Sequence, residues 1–158
     1  SPMIVFTADE AWEAIPHLDS AGVHLADWEP FEFSISAEES ANWETMFTIR
    51  ERALPVLEEA RQAKQIGKGL EACVTLTGSG NELEVAQLYQ EDLRELVNVS
   101  QLKLETGQGQ ELQVGVANAE GEKCERCWRW EPTVGSHDEH ATLCTRCVEA
   151  VSQATGLA

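Results

Sequence analysis

The chain has 158 residues, 28 acidic against 11 basic, and a formal net charge of −17 at pH 7. Such acidity argues against nonspecific polyanion binding, because phosphate contacts need Lys and Arg in number. The length suits one ordinary domain or two small ones, and no apolar run is long enough to span a bilayer, so no membrane partner is expected.

The charge is unevenly spread: residues 1–70 balance at −8, residues 71–120 at −7 and residues 121–158 at only −2. The chain opens SPMIVFTADEAWEAI with no initiator Met and no leader pattern, which reads as a cut from the interior of a longer protein. Ile4, Val5, Ala8, Trp12 and Ile15 recur at helical spacing, and Pro16 stops that helix. Residues 17–37 read as irregular, with VHLADWEPFEF running along a surface.

The strongest helix runs from Glu38 to about Ile66, with Trp43, Met46, Phe47, Arg50, Leu54, Leu57 and Arg61 three or four apart. Pro55 should kink it and Gly67 and Gly69 should end it. At Leu70 the period changes to two: Leu70, Ala72, Val74 and Leu76 alternate with Glu71, Cys73, Thr75 and Thr77, a half-buried strand. Asn81 is a fair N-cap for a helix from Glu82 to about Leu96. VNVSQLKLE and ELQVGVANA then read as two strands around a turn at Thr106–Gln110, and Gly121 marks a boundary. The expected fold class is α+β: a partial helical bundle (1–69), a small α/β unit (70–120) and a four-cysteine zinc finger (121–158).

The chemistry concentrates in that last segment. Cys124, Cys127, Cys144 and Cys147 spell C-x2-C-x16-C-x2-C. Two residues between cysteines let one turn aim both sulfurs at a single point, and two such turns complete the tetrahedron of a structural Zn²⁺. Four thiolates leave no open position, so the metal is a scaffold and not a catalyst. Disulfides would suit a secreted, cysteine-dense chain, and five cysteines in 158 residues do not make one.

No catalytic residue is assigned. The pairs Asp9/Glu10 and Glu38/Glu39 fall on solvated helix faces, GSGNELE lacks a full phosphate-binding fingerprint, and Cys73 is a bystander. His137 and His140 are expected to cap or pack the loop before the second cysteine pair. Lys123, Arg126, Arg129 and Arg146 form the single basic concentration in the chain, and CWRW places Trp128 and Trp130 around Arg129. One Trp is expected to cover the metal site and the other to face out, where an unpaired base could stack on it.

Across nearly its whole length the chain resembles the C-terminal end of bacterial isoleucyl-tRNA synthetase. The resemblance is carried by FTADEAW (Phe6–Trp12), VHLADW (Val23–Trp28), EEARQAKQIGKGLEA (Glu58–Ala72), VSQLKL (Val99–Leu104), GEKCERCWRW (Gly121–Trp130) and CTRC (Cys144–Cys147). It implies that residues 1–69 end an α-helical anticodon-binding domain and that the remainder contacts the anticodon region of tRNA(Ile). It further implies a cytoplasmic, monomeric parent that uses ATP and Mg²⁺ elsewhere, with the rest of the synthetase as partner in cis. The HIGH and KMSKS signatures are absent from this chain, so it is expected to be inactive alone. On this reading Lys123, Arg126, Trp128, Arg129 and Arg146 meet RNA. A glycosylase finger of the formamidopyrimidine type shares the cysteine spacing, and a protein-interaction zinc ribbon is a further alternative.

Overall fold

The computed structural model describes residues 3–16, 22–27 and 33–154, which separate into two compact units divided at Ile35–Ser36. In the first unit, α1 (Val5–Glu13) is short and has no buried side chain. The apolar positions read from the sequence therefore do not form a core here: Ile4 and Val5 are exposed and Trp12 is half-buried. His24 Nε2 lies 3.2 Å from the Val5 carbonyl oxygen. Half of the VHLADWEPFEF stretch, including Trp28, falls outside the described residues.

The second unit begins with α2 (Ala37–Gln62). Ser36 caps it, its Oγ accepting from the Glu39 backbone N–H at 3.0 Å, and Glu38 and Glu39 lie at its positive end. The helix runs through Pro55 without interruption and buries Met46, Ile49, Ala53, Leu57 and Ala60. The sequence pattern misplaces this face: Phe47 is 48% exposed and Leu54 points partly to water. Ala53 and Ala60, too small to signal burial, take their places.

α2 also ends several residues before the glycines expected to stop it. Lys64 adopts φ 58°, Lys64 N–H donates to Arg61 and Gln65 N–H to Ala60, which closes the helix by paired bonds from beyond its end. A left-handed residue is needed there, and a lysine supplies it.

A three-stranded sheet follows, in the order β2-β1-β3: β1 (Ala72–Gly78) lies parallel to β2 (Gln101–Thr106) and antiparallel to β3 (Gln113–Asn118). β1 is thus bonded along both edges, which explains why it is more buried than a simple alternation predicts. Cys73, assigned to the open face, sits between Gln101 and Ala117 and is 4% exposed. Residues 69–71 form a turn of 3-10 helix before the strand.

The expected single helix after Asn81 is two, α3 (Asn81–Leu88) and α4 (Gln90–Val97). Tyr89 leaves the helical region between them, and its ring packs 6.3 Å from that of Trp43. α2, α3 and α4 bury one apolar cluster against the sheet, with Met46, Ile49, Leu76, Leu93, Val74 and Val99 at its centre. α4 ends at Asn98 in the left-handed conformation, and Val99 and Ser100 lead into β2 fully buried.

The C-terminal segment adds a two-stranded hairpin, β4 (Glu122–Lys123) and β5 (Trp130–Glu131), and a final helix, α5 (Thr145–Ala154). Gly121 turns the chain into the hairpin at φ 91°, with its hydrogen where a Cβ would lie 2.4 Å from the Glu131 carbonyl carbon. The architecture is α+β, with the four cysteines clustered in the C-terminal segment. Among the described residues, no helix is long and apolar enough to cross a membrane.

Candidate metal centre and its exposed knuckle

The β4–β5 hairpin exists to make a loop. Lys123 pairs with Trp130, and between them Cys124 N–H donates to Arg129 O at 2.9 Å while Trp128 N–H donates to Cys124 O at 2.9 Å. These bonds fold Cys124 and Cys127 into one tight turn. The second pair is built differently: Cys144 immediately precedes α5 and Cys147 lies in its first turn. The backbone N–H of Thr145 donates to Thr133 Oγ1, which satisfies one free group at the start of α5.

The four sulfurs lie within 4.8 Å of one another, three of the cysteines buried and Cys127 partly so. A Zn–S length of about 2.3 Å demands a tetrahedral edge of about 3.8 Å. Cys127 Sγ and Cys144 Sγ stand 3.8 Å apart. The donor set, its spacing and its enclosure thus fit a structural zinc ion held by Cys124, Cys127, Cys144 and Cys147.

Without metal, Cys124, Cys144 and Cys147 are unequal. Burial acts to raise Cys124, but backbone N–H groups of Cys127, Cys144 and Arg126 outweigh it and bring it down to about 6. Burial pushes Cys144 up to about 12 and also raises Cys147, against the pull of Arg126. Arg126 donates to Cys147 Sγ at 3.6 Å, and Arg146 is held charged by its hydrogen bond to Cys127. One guanidinium therefore serves each cysteine pair. A zinc tetrathiolate carries a formal charge of about −2, so these two cations offset it.

The remaining site residues divide sharply. Trp128 is 62% exposed and adopts φ 65°, a region few non-glycine residues visit. Lys123 is also exposed, with its Nζ 5.7 Å from the Trp128 ring centroid. Arg126 and Arg146 are exposed at the sulfurs.

Arg129 is not on this surface. It is 8% exposed and its Nη2 donates to Glu95 Oε1 at 3.2 Å, so the guanidinium expected to face outward is turned toward α4. The sequence could not reveal this, since alternation in CWRW is broken by the left-handed turn at Trp128. That same turn leaves Trp130 half-buried in β5, its backbone N–H donating to Ser100 Oγ. Neither Trp belongs to the buried cysteine cluster, which Val134 and Leu143 cover instead.

His137 Nε2 lies 3.2 Å from Thr145 Oγ1, a loop-packing contact at the start of α5, and neither His137 nor His140 joins the four sulfurs. Cys73 lies outside them too, its thiol pushed up by burial, with Lys103 opposing and Glu120 adding to the shift. Sequence reasoning missed α5, whose TRCVEAVSQA pattern is short and begins inside the cysteine motif.

Residues 121–150 match the family described as a zinc finger found in FPG and IleRS. That description spans two protein groups, so the finger alone does not choose between them. The longer alignments do. An isoleucine–tRNA ligase of Halalkalibacterium halodurans is 40% identical over 96% of this chain. Its counterparts in Staphylococcus epidermidis and Geobacter sulfurreducens are 39% and 37% identical over the same share. The homologues of this chain are isoleucine–tRNA ligases. The chain spans 18% of the first of these relatives and 17% of the other two, and matches them in their C-terminal region. Similarity to the ligases extends well beyond the finger, through the α/β unit and the helices before it.

Proposed function

We propose that this chain is the RNA-contacting end of an isoleucine–tRNA ligase and helps to place tRNA(Ile), through its anticodon region, for ATP-dependent isoleucylation. The observation that carries the reading is Trp128: an aromatic ring 62% exposed, on a metal-fixed knuckle, beside the ammonium of Lys123. A soluble fold has no reason of stability to hold a large ring outward in a left-handed backbone. An unstacked base gives it one, because bases bind aromatic faces irrespective of sequence.

In this role zinc supplies no chemistry beyond rigidity. The chain's own residues do the rest: Trp128 offers the stacking face, Lys123 lies beside it, and Arg126 and Arg146 offset the negative charge of the sulfur centre behind the knuckle. The three segments 1–69, 70–120 and 121–158 would then be the end of the anticodon-binding helical domain, a connecting α/β unit and the finger. ATP and Mg²⁺ act in the remainder of the ligase, in cis, and the setting is cytoplasmic.

The test is Trp128→Ala in a full-length isoleucine–tRNA ligase carrying this segment. Stacking is worth about 1–3 kcal/mol per base, so charging of tRNA should weaken roughly tenfold or more. Isoleucine-dependent ATP–pyrophosphate exchange should stay near wild type. Equal loss in both assays would reject RNA contact and point to a folding role.

A further inference from the structure

We infer that Arg129 is a positioning residue: paired with Glu95, it clamps the cysteine finger to the end of α4 and so fixes where Trp128 is presented. This rests on the RNA-contacting role proposed for Trp128.

The clamp is made by three consecutive residues immediately after the exposed ring. Arg129 sends its guanidinium to Glu95 in the last turn of α4. Trp130 donates its backbone N–H to Ser100 Oγ at 2.8 Å. Glu131 lies 3.7 Å from Arg94 Nη1. Ser100 is fully buried and hands its own hydrogen to the Leu70 carbonyl, so the anchor reaches the 3-10 turn that precedes β1.

Arg129 also closes the knuckle itself, since its carbonyl accepts the Cys124 N–H. One residue thus joins the metal loop by its backbone and the α/β unit by its side chain. Its Nη1 is buried with no protein partner. A buried guanidinium with an incompletely satisfied fork is a costly way to add stability alone. It is an effective way to fix geometry, because its planar donors accept few orientations. The adjacent Trp128 has its φ already restricted, so moving Arg129 moves the ring.

A phosphate-contacting arginine and a positioning arginine give opposite signatures. In the full-length ligase carrying this segment, tRNA affinity is measured across salt concentrations for Arg129→Met, Glu95→Gln, the double variant, Arg129→Lys and Trp128→Ala. Zinc content is measured alongside. Each single change at the pair should weaken binding about 5- to 10-fold, and the double should be no worse than the weaker single, as coupled neighbours behave. The slope of log K against log[salt] should not change, zinc should remain at one per chain, and Arg129→Lys should recover part of the loss.

A slope reduced by about 0.7–0.9 in Arg129→Met, with Glu95→Gln silent, would make Arg129 a phosphate contact and overturn the clamp. If Arg129→Met loses zinc, Glu95→Gln decides, because that partner's side chain is 59% exposed and its change spares the core. Silence of both pair variants while Trp128→Ala weakens binding would reject the clamp and leave the RNA role standing. Silence of Trp128→Ala would reject the RNA role itself.

Discussion

Lys123 holds its ammonium 5.7 Å from the ring centroid of Trp128, across the mouth of the cysteine hairpin. A cation over one face of an exposed indole is worth about 0.5–1 kcal/mol, and it leaves the other face open. The ring is therefore steadied in a position that water would otherwise let it leave. Trp128→Gly separates this arrangement from a packing role. Glycine is at ease at φ 65°, which removes a left-handed penalty of about 1–2 kcal/mol. Its extra freedom in the unfolded chain takes back about 0.5–1 kcal/mol. Thermal stability of the zinc-loaded protein should thus hold or rise slightly while tRNA affinity falls as in Trp128→Ala. A drop in melting temperature of several degrees would mean that the ring is structural.

Metal removal should unfold one end of the molecule and spare the other. The finger's cluster comprises Cys124, Cys144 and Cys147 with a few half-buried neighbours, too little to persist without the ion. The main cluster, from Met46 to Leu112, contains none of these cysteines. Zinc binding in such modules supplies about 10–16 kcal/mol. Chelation should remove amide protection in β4, β5 and α5 while β1, α2 and α4 keep theirs, as read by hydrogen exchange. Global loss of protection would show that the finger and the α/β unit fold as one.

Gly121 offers a purely steric test. Any side chain there meets the Glu131 carbonyl carbon at 2.4 Å and must also adopt φ 91°. Gly121→Ala should destabilise the zinc-loaded finger by about 1–3 kcal/mol, the usual cost of a forced backbone conformation. A calorimetric melt of the variant checks this, and an unchanged profile would show that the β4–β5 hairpin opens freely.

The cysteine centre was legible because its chemistry is local: two short spacings determine four ligands whatever the rest of the chain does. The long helix and the change of period at Leu70 were legible for a similar reason, since burial on one face leaves a repeat. What escaped depends on tertiary context. The buried side of α2 turns on Ala53 and Ala60, whose composition is neutral. The break at Tyr89 and the helix stop at Lys64 lie at residues with no turn signal. The burial of Arg129 was least legible, because its charge suggests solvent and its partner Glu95 lies 34 positions away.

Arg126 and Arg146, each spent on a cysteine pair, have a consequence for how any charged partner approaches. Left bare, the sulfur centre would be one more anionic site in a chain already carrying −17. Quenched, it adds almost nothing to that negative charge. On the reading proposed above, a polyanion would meet less repulsion at the knuckle than beside the carboxylates around it, so that its approach is set partly by where the protein declines to repel it.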